Sequence, residues 1–96
     1  MNATNALKTA RSAVSLPVKQ GPYSWSVIHP WRDIDGPSAE TTATSYPAAM
    51  VARQQCVASL ALHLLDAPDE YINHALYGVH DAASVRAVVT VYLAGK

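Results

Sequence analysis

Five side chains in this sequence could bind a metal or support nucleophilic chemistry: Cys56 and the histidines His29, His63, His74 and His80. Cys56 and His63 stand seven positions apart on what reads as one helix, so they share a face. They are nevertheless roughly 10 Å apart along the helix axis. One zinc ion sits only about 2.0–2.3 Å from each ligand, so it cannot bridge them. No HxxxH, CxxC or HxxE pair occurs, and neither a metal nor a cofactor is expected. Cys56 lies mid-helix among Val57, Ala58 and Leu60, where a thiol behaves as a small hydrophobe. A nucleophilic cysteine instead needs a helix N-terminus or a neighbouring cation to lower its pKa. Asp33 and Asp35 alternate along one segment but have no opposing acid, and Asp35-Gly36 is a common turn pair. The four glycines form no phosphate-binding loop. These residues assemble no catalytic constellation, and a non-enzymatic protein is expected.

The chain has 96 residues, half of them hydrophobic, which is enough for a single domain spanning 1–96. Its apolar content is Ala- and Val-rich and lacks Phe, so the core is thin, and a partner subunit could complete it. Charged residues are only 15% of the chain, and the charge is split. Up to Arg32 the cations Lys8, Arg11, Lys19 and Arg32 give +4 with no acid. From Asp33 onward, seven acids against Arg53, Arg86 and Lys96 give −4. Zero net charge and an acidic C-terminal two-thirds argue against direct nucleic-acid binding. The lone cysteine excludes an intrachain disulfide and fits a reducing, cytoplasmic setting. No apolar run approaches the roughly 20 residues that span a bilayer, and the N-terminus lacks the apolar stretch of a secretory signal.

The elements that must position these residues read as follows. Residues 1–16 contain a helix or arm, with Thr4 as a cap and Leu7, Ala10 and Val14 on one face. Pro17 ends it, and Gly21-Pro22 makes a turn. Tyr23–His29 reads as a strand, with Tyr23, Trp25 and Val27 on one side and Ser24, Ser26 and Ile28 on the other. A turn-rich segment over 30–37 leads to a second strand over Ala39–Tyr46, giving a hairpin. A long helix spans 47–65, opened by Pro47. Val57, Leu60 and Leu64, with Met50, form one apolar face; Val51, Ala58, Leu62 and Leu65 form a second. Together they cover an arc of about 200°, more than one contact needs. The remaining stripe is small or polar: Ala48, Ala52, Gln55, Ser59 and His63, with Cys56 at its edge. A shorter helix follows Pro68 and stops at Gly78. Over 85–93, Val85, Val88, Val89 and Tyr92 fit a helix face capped by Asp81, whereas Val85, Ala87, Val89, Val91 and Leu93 fit a strand face. Four valines plus Thr90 and Tyr92 favour the strand. The expected fold is α+β in the order β-β-α-α-β, with a further N-terminal helix if 1–16 orders.

Two residues break the pattern. Arg53 interrupts the Val57–Leu60–Leu64 face, either snorkelling to water or forming an ion pair with Glu40, Asp33 or a partner's acid. Trp31 lies in the 30–37 segment beside Arg32, as interface aromatics often do, or plugs its own loop.

In element order alone, a strand hairpin feeding an Ala-rich helix resembles small phage and mobile-element proteins, some anti-CRISPR inhibitors among them. The resemblance transfers no residue. It implies a module that occupies a surface of a larger protein or ribonucleoprotein complex. Trp31, Arg32, Asp33 and Asp35, together with the acidic bend Asp66, Asp69 and Glu70, are the expected contact surface. The alternatives are a homodimeric assembly subunit, a small hydrolase and a nucleic-acid-binding domain.

Overall fold

Residues 1–29 and 39–95 are described by a computed structural model of the chain. These described residues form an α+β domain of four helices and a three-stranded antiparallel sheet. Helix α1 (Ala3–Ala13) leads into β1 (Val18–Gly21), β2 (Ser24–His29) and β3 (Ala39–Ala43). Helices α2 (Tyr46–Leu64) and α3 (Asp69–Ala75) come next, then a 3₁₀ turn (Leu76–Gly78) and α4 (Ala82–Ala94).

The N-terminal segment is a helix, capped by the Asn2 side chain, which accepts from the Asn5 N–H at 2.8 Å; Thr4 lies inside its first turn. Its inward face is Ala6, Leu7, Ala10 and Val14, all buried. Past Pro17 the chain forms β1, a strand absent from the sequence reading, which placed only a turn there. Its pairing slips between Lys19 and Gly21, where the hairpin tightens. β2 is the central strand, and its alternation separates two faces. Val27 and His29 are buried toward α2 and Trp25 packs against the core, while Ile28 points outward and is exposed. Tyr23 precedes the strand, in the turn, and is exposed as well.

α2 starts where expected, because the Ser45 side chain accepts from the Ala48 N–H and Pro47 occupies the first turn. Its fully buried residues are Ala49, Val57, Ala58, Ala61 and Leu62, so the core line runs beside the expected Val57–Leu60–Leu64 face. Leu60 and Leu64 are half-buried. The breadth of the apolar arc is used within the chain: α2 touches β2 and β3 and also α1, α3 and α4.

The helix ends in a Schellman motif. The Ala67 N–H bonds back to the Leu62 carbonyl and the Asp66 N–H to that of His63, both at 3.0 Å. Buried Leu62 and Ala67 supply its apolar contact. Asp66 takes the left-handed conformation (φ 63°), usually given to glycine at this position. That reversal sends the chain into α3, whose first turn carries Asp69 and Glu70.

The strand expected over 85–93 is a helix. Asp81 and Ser84 form a reciprocal capping box: the Ser84 N–H donates to Asp81 Oδ1 at 2.7 Å, and the Asp81 N–H donates to Ser84 Oγ at 3.0 Å. Val85 and Val89, one turn apart, are fully buried in the core that α2 and α1 share with α4. Burying that i,i+4 pair outweighs the weak strand preference of valine. The resulting order is α-β-β-β-α-α-α, not β-β-α-α-β.

A β-branched residue cannot occupy the Asp66 conformation without strain. In urea unfolding, Asp66→Val should be at least about 1 kcal/mol less stable than Asp66→Gly. Equal stabilities would show that the left-handed turn is not what ends α2.

Candidate functional site

The small and polar stripe of α2 forms the wall of a cavity. Ala52, Gln55, Cys56 and Ser59 recur at helical spacing and face His29 of β2, Thr41 of β3 and Leu76 across a half-open space of about 200 Å³. His29 Nε2 lies 3.2 Å from Thr41 Oγ1, which is 4.0 Å from Cys56 Sγ. Gln55 Nε2 donates to the Val79 carbonyl at 3.5 Å, tying this wall to the segment before α4. The histidine brought near Cys56 is therefore His29, through Thr41, and not His63, which lies exposed farther along α2. Burial pushes the Cys56 thiol pKa up, and the Thr41 hydrogen bond only partly offsets this. A half-buried thiol whose pKa is raised is the reverse of an activated nucleophile. Among the described residues, no group of three or more His, Cys, Asp or Glu could hold a metal ion. The space is also smaller than the roughly 300–1,000 Å³ of most ligand pockets.

Of the expected contact residues, Trp31, Arg32, Asp33 and Asp35 lie outside the described residues. Asp66, Asp69 and Glu70 lie at the α2–α3 bend, and each is exposed. Beside them runs an open groove of about 460 Å³ lined by Pro68, Tyr71, Val91, Tyr92 and Gly95. The Tyr71 and Tyr92 rings are 5.0 Å apart and tilted, and Val91 is 64% exposed. Sequence reasoning missed this groove because it needs 85–93 to be helical.

Arg53 acts on α1. Its Nε donates to the Ser15 carbonyl at 3.2 Å and its Nη2 to the Arg11 carbonyl at 3.4 Å. Arg11 is in the last turn of α1, where carbonyls lack helical partners and the helix dipole favours a cation. Glu40, considered as its partner, is bound elsewhere: it accepts from Ser26 Oγ at 2.7 Å. Both residues lie on the sheet face turned away from α2.

That outer face is the other distinctive surface. Val18 is the register partner of Ser26, and Ile28 lies two positions along β2, so both project on the side of Glu40 and Thr42. Val18 is 45% and Ile28 44% exposed. Leu16 and Tyr23, at the two ends of β1, and Tyr46, at the start of α2, are exposed too. Tyr46 belongs to the opposite, α2-facing side, where it packs edge-on to Trp25 at 5.1 Å, with Lys19 Nζ 6.0 Å above the indole. No protein-family model, curated protein or solved structure matches this chain.

Two outcomes follow from this geometry. Alkylation of Cys56 by iodoacetamide, followed by intact-protein mass spectrometry, should be at least about tenfold slower in the folded chain than in denaturing urea. Its rate should still be climbing at pH values above the ordinary thiol range, because the folded thiol loses its proton later; a plateau within that range would contradict the buried environment. Arg53→Met keeps the apolar stem but leaves the α1 carbonyls without their donor. It should cost about 1–3 kcal/mol in urea unfolding, and a neutral result would show that the two bonds do not hold α1.

Proposed function

We propose that this chain is a small protein-binding module that docks on a larger protein or ribonucleoprotein complex through the outer face of its sheet. The observation that carries the reading is where the exposed apolar side chains lie. Among the described residues, eight large hydrophobics are exposed; two of them, Val18 and Ile28, project from the outer face, and Leu16 and Tyr23 flank β1. Exposed apolar side chains gathered on one part of a surface mark interaction sites, and tyrosines are enriched among the residues that dominate binding energy. The β1 edge is a poorer docking element, since Pro17, Lys19 and the register slip all interrupt strand addition. An inhibitor from a phage or mobile element, directed at a host nucleic-acid-processing complex, is the finer form of this proposal. The balanced charge supports a protein contact over a direct nucleic-acid one.

Val18→Asp/Ile28→Asp places two charges on the face without entering the core, so circular dichroism and thermal unfolding should stay close to native. Proteins captured from the native host by the wild type should be lost by this variant and kept by Thr90→Asp, a change at an exposed position of α4. Retention of the same proteins by the double variant would refute the assignment of the sheet face. Light scattering distinguishes the other occupant: a wild-type dimer that the double variant turns into a monomer would mean that a second copy covers the face.

A further inference from the structure

We infer that the cavity between α2 and the sheet is a small-molecule site for a single uncharged ring that carries one hydrogen-bond donor, a phenol or an aniline in chemical class. The inference is independent of the sheet-face reading and uses none of its residues. Ala52, Gln55, Cys56 and Ser59 of α2 wall the cavity on one side, and His29 and Thr41 stand on the other. Its half-open space of about 200 Å³ is below that of most ligand pockets. It is ample for one ring, since an engineered protein cavity of about 150 Å³ holds benzene. The room comes from residue choice: Ala52 and Ser59, about two helical turns apart, are both small, and a leucine in place of Ala52 would fill part of it.

The polar groups of the lining select what the ring must carry. Thr41 Oγ1 is already engaged, 3.2 Å from His29 Nε2 and 4.0 Å from Cys56 Sγ. Gln55 Nε2 donates to the Val79 carbonyl, which leaves Oε1 of the same amide as an acceptor with no partner among the described residues. The Ser59 hydroxyl likewise makes no hydrogen bond to the described residues. A ring without a polar atom would take water from these two groups and return no bond, whereas a ring donor replaces one. Leu76 and Ala52 supply apolar surface for the ring itself. No Lys, Arg, Asp or Glu is among the lining residues, so a charged ring would lose hydration there without gaining a counter-charge.

The probes are phenol, toluene, benzoate and benzylamine, each titrated into the ¹⁵N-labelled full chain and followed by amide chemical shifts. Phenol and toluene have the same number of heavy atoms, so the hydroxyl alone separates them. Phenol should shift the amides of Thr41, Gln55, Cys56, Ser59 and Leu76, with a dissociation constant of about 1 mM. Toluene should bind about three- to tenfold more weakly, and both charged rings should bind more weakly than phenol. Saturating phenol should slow alkylation of Cys56 by iodoacetamide at least about twofold, because the thiol lines the occupied space. Ala52→Leu should remove the phenol shifts. Ser59→Ala should narrow the gap between phenol and toluene at least about twofold with native circular dichroism, which keeps the test decisive if Ala52→Leu does not fold. The inference is overturned if the four probes bind alike, if a charged ring binds most tightly, or if phenol leaves Cys56 alkylation unchanged. It is overturned equally if phenol shifts Tyr71, Val91 and Tyr92 in place of the cavity amides, which would mean that the ring adheres to the exposed α3–α4 groove. Val18→Asp/Ile28→Asp should bind phenol as the wild type does, so failure at this cavity and failure of the sheet-face reading are told apart.

Discussion

The burial of α2 on more than one side is the constraint on which the rest of the structure depends. A chain of this length whose apolar side chains are mostly alanine and valine has few large groups to bury, so its central helix must be covered nearly all round. The sheet covers one side, and α1, α3 and α4 cover others. Most of the remaining architecture serves that arrangement. The Schellman turn at Leu62–Ala67 reverses the chain so that α3 and α4 can return along α2. Arg53 reaches from α2 to the last turn of α1 and holds the N-terminal helix against it. Both devices satisfy backbone groups at helix ends, where they would otherwise lack partners.

Because α2 takes its cover from within the chain, the exposed apolar surface lies elsewhere. A three-stranded sheet has only one face to give α2, and the other carries Val18 and Ile28 outward beside the Ser26–Glu40 hydrogen bond. The same logic gives α4 two apolar sides, one in the core and one in the groove with Tyr71 and Tyr92. The polar stripe of α2, by contrast, ends up inward against His29 and Thr41. Its cavity is small, partial burial raises the pKa of its thiol, and His29 is the histidine that comes near it.

How much of this could be read beforehand varies with the range of the interaction. The stripe Ala52, Gln55, Cys56 and Ser59 was visible as a helical periodicity, yet nothing local said that β2 and β3 would lay His29 and Thr41 over it. The acidic bend was legible as a cluster because Asp66, Asp69 and Glu70 are close in sequence. The groove beside it was not, because it joins Tyr71 to Val91 and Tyr92 across two helices. Arg53 was recognisable as an anomaly on an apolar face. Its partners, the carbonyls of Arg11 and Ser15, are some forty positions away and carry no side-chain signature.

By itself, the sequence determined a long helix over 47–65, observed as Tyr46–Leu64, the strand ending at His29, the α+β character, and the separation of Cys56 from His63. Each of these depends on periodicity or capping within a few residues, where propensity and geometry act without knowledge of the rest of the chain. Only the tertiary structure decided that 85–93 is a helix, that β1 exists, that Glu40 faces away from Arg53, and that Val18, Ile28 and Val91 stay exposed. The physical reason is that a valine-rich segment satisfies helical and strand periodicity almost equally well, so the neighbour available to bury it makes the choice. Here Val85 and Val89 met α1 and α2, and the Asp81–Ser84 box closed the end of the helix that buries them.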